Sequence, residues 1–314
     1  MVFAWLGKQK NKKFIGIEVR ENGIAVAQRQ DTPEGIVLNH VDYMEIDTDR
    51  DFGPALTEIV KKRSLQGQSC NLVLDPASYQ LLLVDAPDVP DEEMRDAIRW
   101  RLRDLITMPV EQAAIDIFDV PADSSVAKKR MLYVVITRRD LISIIIKKVN
   151  NVGLKLQSID ISELALRNIA NQFVDPQFDG RGVAIARIRQ GTGTICIFKM
   201  GNLYLSRQFD LDYNGGLLDE LPTEKLALEL QRSLDYYERQ MAQVAPGVVY
   251  ICGDNVSESK VTQELQQNMV SIIQYLELSA AVRTKEEFDS GLMQLCLAAS
   301  GASFRNDEVA SAAG

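Results

Sequence analysis

The sequence predicts an α/β chain made of two like halves, and three observations carry that expectation. Residues 14–28 (FIGIEVRENGIAVAQ) and 183–199 (VAIARIRQGTGTICIFK) each read as an apolar strand, a short polar turn and a second apolar strand. Setting Val19-Arg20 on Ile188-Arg189 separates the copies by 189 − 20 = 169 residues, most of one ordinary domain. The length of 314 residues, 46% of them apolar, is enough to bury the cores of about two domains.

The elements follow in order. After the first hairpin, residues 35–46 continue as a third strand, residues 52–63 show helical spacing through Leu56, Ile59 and Val60, and residues 71–75 (NLVLD) read as a buried strand. Three meandering strands, a helix and a strand open a ribonuclease-H-like half. Residues 79–85 form a strand that ends before Pro87 and Pro90, and acidic residues then start a helix over 91–106. Its apolar stripe is Met94, Ala97, Ile98, Leu102 and Leu105. Strands over 113–121 and 131–137 complete a small α+β insert. A helix over 139–150, a Gly153 cap, a strand over 154–160 and a helix over 162–173 precede the polar run 175–182, which marks the boundary between halves.

The second half repeats the hairpin, adds a strand over 202–210, and places Leu226, Leu230, Leu234 and Tyr237 on one face of a helix over 223–241. Beyond it the pattern predicts a strand over 248–252, a helix over 257–267, a strand over 270–275 and a small-residue helix over 291–300. The division is therefore 1–13 as a short basic amphipathic segment, 14–180 as the first half with 76–153 inserted, 181–305 as the second half, and 306–314 as a frayed tail.

Composition excludes several function classes. The net charge of −9 argues against a nucleic-acid partner, because phosphate neutralisation needs a basic face. Cys70, Cys196, Cys252 and Cys296 form no CxxC pair and read as reduced core thiols, and His40, the single histidine, reads as a strand residue without metal or triad partners. No apolar run is long enough to cross a bilayer, and the opening residues place apolar groups before charges, opposite to a secretory leader. Val2, Phe3, Trp5 and Leu6 followed by Lys8, Lys10, Lys12 and Lys13 suit a peripheral membrane contact.

Residues 97–120 (AIRWRLRDLITMPVEQAAIDIFDV) and 134–169 (VVITRRDLISIIIKKVNNVGLKLQSIDISELALRNI) resemble successive segments of the PilM family of type IV pilus assembly proteins. The shared order runs over nearly the whole chain and is most similar to the branch that builds the mannose-sensitive haemagglutinin (MSHA) pilus. The resemblance implies an actin-like ATPase fold of the FtsA/PilM type, with an inserted subdomain in the first half and nucleotide in the cleft between halves. It also implies a cytoplasmic scaffold, peripheral to the inner membrane. Such a scaffold binds the cytoplasmic tail of a PilN- or MshJ-like membrane protein in a groove beside the insert and ties it to the pilus assembly ATPase.

In that family the first phosphate hairpin reads Asp-x-Gly-Ser/Thr, an acid for hydrated magnesium and a glycine for close phosphate approach. Here the position is Glu18-Val19-Arg20-Glu21, the second hairpin reads Arg187-Ile188-Arg189 followed by Gly191 and Gly193, and Gly253-Asp254 stands where a Gly-Gly pair meets the nucleotide. The expectation is a degenerate nucleotide cleft of Glu18, Arg20, Arg187, Arg189, Gly191, Gly193 and Gly253, with no catalytic residue, no metal and no required cofactor. Direct pairing of the arginines with ATP phosphates, as a bound ligand without magnesium, is one alternative. Salt bridges to Glu18 or Glu21, above all from Arg189, are another. A working ATP switch of the same fold is the rival function. Trp100, off the core stripe of its helix, and Met108 are the candidate partner-binding residues, while Arg95, Arg99 and Arg103 read as a solvated row paired within the helix.

Overall fold

The computed structural model describes residues 12–47, 52–123, 129–173, 176–178, 180–213, 221–254, 256 and 258–305. The expectations for the N-terminal anchor and the C-terminal tail fall largely on 1–11 and 306–314, outside the described residues. The chain opens on a meander of β1 (Lys13–Arg20), β2 (Gly23–Thr32) and β3 (Gly35–Glu45), followed by α1 (Phe52–Lys62) and β4 (Ser69–Val73). A one-turn helix (Pro76–Ser78) leads into β5 (Tyr79–Asp85), α2 (Asp91–Leu102), a second single turn (Val110–Gln112), β6 (Ala113–Asp119) and β7 (Met131–Arg138). Next come α3 (Arg139–Asn151), β8 (Lys155–Asp160) and α4 (Ser162–Phe173). The second meander is β9 (Val183–Arg189), β10 (Thr192–Lys199) and β11 (Asn202–Asp210), followed by α5 (Thr223–Arg239), β12 (Val248–Gly253), α6 (Glu258–Asn268) and β13 (Ile272–Tyr275). The chain ends with α7 (Leu278–Ala281), β14 (Arg283–Thr284), α8 (Ser290–Leu295) and α9 (Leu297–Ser303).

Strand order makes the duplication visible. One sheet runs β14-β3-β2-β1-β4-β8 and the other β11-β10-β9-β12-β13, so apart from β14 each is an antiparallel meander extended by two parallel strands. The central strands are covered on both faces, which is why Ile15, Ile17, Ile24 and Ala25, like Ile185, Ala186, Ile195 and Ile197, are buried as near-continuous apolar runs. Helices cover them with the predicted faces: Leu56, Ile59 and Val60 of α1, and Leu226, Leu230, Leu234 and Tyr237 of α5, are buried.

The insert is a separate three-stranded sheet, β5-β7-β6, on which α2 seats Met94, Ile98 and Leu102 against Leu132, Val134 and Ile136. Ile145 and Val149 of α3 share a buried cluster with Ile15, Leu56 and Leu72 of the first half, while α3 also lies against β6 and β7, so this helix joins the insert to that half. The expected 91–106 helix stops at Leu102, which leaves Leu105 outside the core stripe and 53% exposed. The arginine row of α2 also pairs differently, Arg95 with Asp116 at 2.8 Å and Arg103 with Glu111 at 4.0 Å, both acids lying outside the helix.

The C-terminal stretch returns to the first half. β14 pairs with β3, and α9 lies against β1 and α4, so residues 283–304 complete the half that the sequence division had closed at 180. The expected 291–300 helix is two, α8 and α9, meeting at Cys296. The four cysteines are buried and unpaired, as read from their surroundings. His40 is a partly exposed strand residue; burial, then the charges of Arg63 and Lys285, hold its pKa below the usual histidine value. No helix among the described residues is long and apolar enough to cross a membrane.

Candidate functional site

Glu18 and Arg187 occupy the same place in the two meanders. Glu18 lies opposite Ala25 and Val73, and Arg187 opposite Thr194 and Cys252. They face each other across the halves. The Arg187 Nη2 group donates to Glu18 Oε2 at 3.1 Å, Nη1 lies 2.8 Å from Oε1 as an ion-pair contact, and Nη1 spends its hydrogen bond on Ser162 Oγ at 3.0 Å. The Glu18 side chain is 0% exposed and that of Arg187 2%. An acid is thus bound by its own counterpart in the repeat.

Two further pairs flank this centre with the same pseudo-symmetry. Asp75 lies two residues past Val73, and Asp254 two residues past Cys252, so the two aspartates are counterparts just as Arg20 and Arg189 are. Arg20 of the first half pairs with Asp254 of the second, and Arg189 of the second pairs with Asp75 of the first at 2.9 Å. Together the three pairs form a latch of arginines and carboxylates across the cleft. Burial opposes the charge on Arg187 and Arg20, but the adjacent carboxylates outweigh it and raise both pKa values above the usual arginine value. Burial also pushes the Asp75 carboxyl up; the Arg189 charge and the N–H groups of Ala77 and Glu21 prevail and hold it below the usual range.

Of the predicted cleft residues, Glu18, Arg20, Arg187 and Arg189 therefore come together, as ion pairs. The salt-bridge alternative describes them best, although the pairs are buried or half-buried rather than on the surface, and Arg189 finds Asp75 instead of Glu18 or Glu21. The glycines serve the backbone. Gly191 turns the β9–β10 hairpin at φ +74°, and a Cβ on Gly193 would fall 2.3 Å from the Phe209 ring. At Gly253, φ is +141°, a Cβ would meet Ile188 O at 1.9 Å, and the N–H is taken by buried Gln294. The residues present do not fit magnesium with a nucleotide: the carboxylates in place to hold hydrated metal are engaged by guanidinium groups, and phosphates entering beside Asp75 and Asp254 would meet like charge. Asp75 and Ser162 were not anticipated. Asp75 ends the apolar run NLVLD as Asp254 ends VVYICGD, but 254 − 75 = 179 residues separate them, ten more than the hairpin repeat, so that spacing alone does not align the two.

The candidate partner residues lie in two separate hollows of the insert. Met108 lines a groove of 480 Å³ between the insert and the first half, whose other walls are Ala77, Ser78, Tyr79, Gln80, Ile136, Arg138, Asp140, Leu141 and Ile144. Trp100, 71% exposed, lines another hollow with Ala86, Pro87, Val89 and Arg101.

Below the groove floor sits a buried polar cluster. Tyr79 OH donates to Glu163 Oε2 at 2.5 Å and accepts from the Ser162 N–H at 3.2 Å, while Ser206 Oγ of the second half donates to Glu163 Oε1 at 3.3 Å. Burial raises the Glu163 pKa, with the two hydroxyls offsetting only part of it. A carboxyl raised on folding contributes stability that is present below its unfolded pKa and lost as pH rises through the folded value. Glu163→Gln, which keeps an acceptor for Tyr79, is accordingly expected to gain stability relative to the parent as pH rises from about 4.3, the ordinary glutamate value. Urea unfolding of both proteins between acid and neutral pH checks the sign, and a difference independent of pH would refute it.

By sequence, the chain matches no protein-family model and no curated protein. Among solved structures it is similar to a chain of a PilM-PilN type IV pilus biogenesis complex, with a TM-score of 0.73 at 14% identity over 92% of this chain and 97% of that one. It is also similar to the cytoplasmic domain of EpsL, an inner membrane component of the type II secretion system of Vibrio cholerae, with a TM-score of 0.54 at 11% identity over 91% and 94%. A Bacteroides thetaiotaomicron protein with an actin-like ATPase fold gives 0.50 at 11% identity over 87% and 93%. The fold is the actin-like ATPase fold.

Proposed function

We propose that this chain is a cytoplasmic scaffold of type IV pilus biogenesis, of the MshI kind within the PilM family, that binds the tail of a PilN- or MshJ-like inner-membrane protein and needs no nucleotide to do so. The latch carries this reading, because ion pairs between the halves fill the places from which an actin-like ATPase would hold magnesium. The groove beside the insert is the site offered to the tail. Its apolar walls are Tyr79 at the start of the edge strand β5, Met108 before β6, Ile136 of β7, and Leu141 and Ile144 of α3, and its rim carries Arg138 and Asp140. An extended segment with apolar side chains suits such a site, since an edge strand offers main-chain pairing and pockets read alternate side chains. The likeness to a PilM-PilN complex supports the identity of the occupant. Trp100, in its own hollow, is assigned to a second partner, the assembly ATPase.

Titration with a synthetic peptide of the PilN-like protein's cytoplasmic tail tests the reading. The peptide is expected to bind without added nucleotide, Met108→Asp to weaken it by about tenfold or more, and Trp100→Ala to leave its Kd unchanged while reducing capture of the assembly ATPase. Gentle denaturation followed by mass analysis should release no stoichiometric nucleotide. Bound ATP whose removal changes the tail's affinity would instead establish the ATP switch.

A further inference from the structure

The cleft and the groove share a wall. Residues 75–79 run from the end of β4 into the first residue of β5; Asp75 at one end is a latch carboxylate, and Tyr79 at the other forms part of the groove. Ala77 between them lines both the groove and the 440 Å³ cavity at the latch, where Arg20, Arg189 and Asp254 also lie. The segment has little freedom to move in parts. Asp75 accepts the Ala77 N–H at 2.9 Å and so caps the one-turn helix, the Ser78 carbonyl accepts from Thr137 Oγ1 of β7 at 2.7 Å, and the Tyr79 hydroxyl is held by Ser162 and Glu163. A second route runs through that hydroxyl. Ser162 gives its N–H to Tyr79 and receives Arg187 Nη1 on its Oγ, which links the groove to the central latch pair through one residue.

We propose that residues 75–79 couple the groove to the latch, so that a chain seated against Tyr79 and closure of the Asp75–Arg189 pair stabilise each other. The proposal rests on the reading that the groove takes the tail. Its physical content is a single short element with two demands on it: the latch fixes where the turn sits, and the turn fixes where Ala77, Ser78 and Tyr79 stand in the groove wall. Such a coupling is reciprocal: the factor by which a closed latch tightens the groove is the factor by which a seated chain favours latch closure.

Arg189→Ala removes the latch partner of Asp75 without touching the groove, Arg189→Lys restores the charge, and Arg63→Ala, which breaks the ion pair with Asp42 on β3, serves as the control. In titrations of the full chain with the synthetic tail peptide, Arg189→Ala is expected to raise the Kd about fivefold or more, the lower end of ordinary coupling between sites. Arg189→Lys should recover part of the loss and Arg63→Ala should match the parent. Equal Kd values for Arg189→Ala and the parent would overturn the coupling while leaving the groove assignment intact. If the parent itself fails to bind the peptide, the groove assignment falls, and hydrogen exchange without peptide still decides the coupling. Amides of residues 77–82 should then exchange several-fold faster in Arg189→Ala than in the parent or in Arg63→Ala, and unchanged exchange would overturn it.

Discussion

Replacing Arg187 by alanine is expected to cost about 3–5 kcal/mol of folding stability, because it strands the fully buried Glu18 carboxylate without its partner. The loss is not the worth of the pair. Moving both charges out of water costs several kcal/mol per ion, and their attraction in the interior returns little more than that. The double replacement Glu18→Leu with Arg187→Met, apolar on both sides and similar in volume, is therefore expected to fall within about 1–2 kcal/mol of the parent. Denaturant unfolding of Glu18→Leu, Arg187→Met and their double gives the coupling directly, as both residues share one interaction. Near-additive losses would show that the two side chains act independently, contrary to the geometry. The pair's position predicts a second signature: the halves are held together at Glu18, so Arg187→Ala should broaden or split the unfolding transition as the two sheets lose their shared centre.

Part of this site was readable in the sequence. The 169-residue repeat put Glu18 and Arg187 at equivalent positions and Arg20 and Arg189 beside them. What the repeat could not supply was the pairing. Arg20 and Asp254 are 234 residues apart and Arg189 and Asp75 are 114 apart, and contacts at such separations are set by how the sheets meet rather than by local periodicity. The fold divides in the same way. Elements fixed by their own spacing, such as the buried face of α5 and the strand Tyr79–Asp85, lie where the pattern put them. Those fixed by distant partners do not: α2 ends at Leu102, after which Ile106 and Met108 pack on the insert core from a loop, and β14 is a two-residue strand paired to the edge of β3.

Gly16→Ala is expected to be among the most damaging single-methyl additions in the chain, costing about 3 kcal/mol or more. Gly16 lies on β1, and a Cβ there would stand 1.8 Å from the Ala299 carbonyl oxygen and 2.6 Å from the Ser303 nitrogen, both main-chain atoms of α9. No rotamer change can relieve a backbone clash, so α9 would have to lift. Its own small residues show how close it sits: Ala298 and Ala302 pack with Val73 and Ala165, and a Cβ on Gly301 would meet the Ala165 carbonyl oxygen at 2.2 Å. Lifting the helix would also break the bonds by which Asn71 and Asn168 satisfy the Ala302 and Gly301 carbonyls, at 3.1 and 3.0 Å. Gly191→Ala is the instructive comparison, because φ there is +74° but no atom lies within 4 Å of the added methyl. It should cost only the left-handed strain, about 1–2 kcal/mol. Thermal or urea unfolding of the two variants separates close approach from backbone conformation as the reason for a glycine, and a Gly16→Ala loss no larger than that of Gly191→Ala would show that α9 yields more readily than its packing implies.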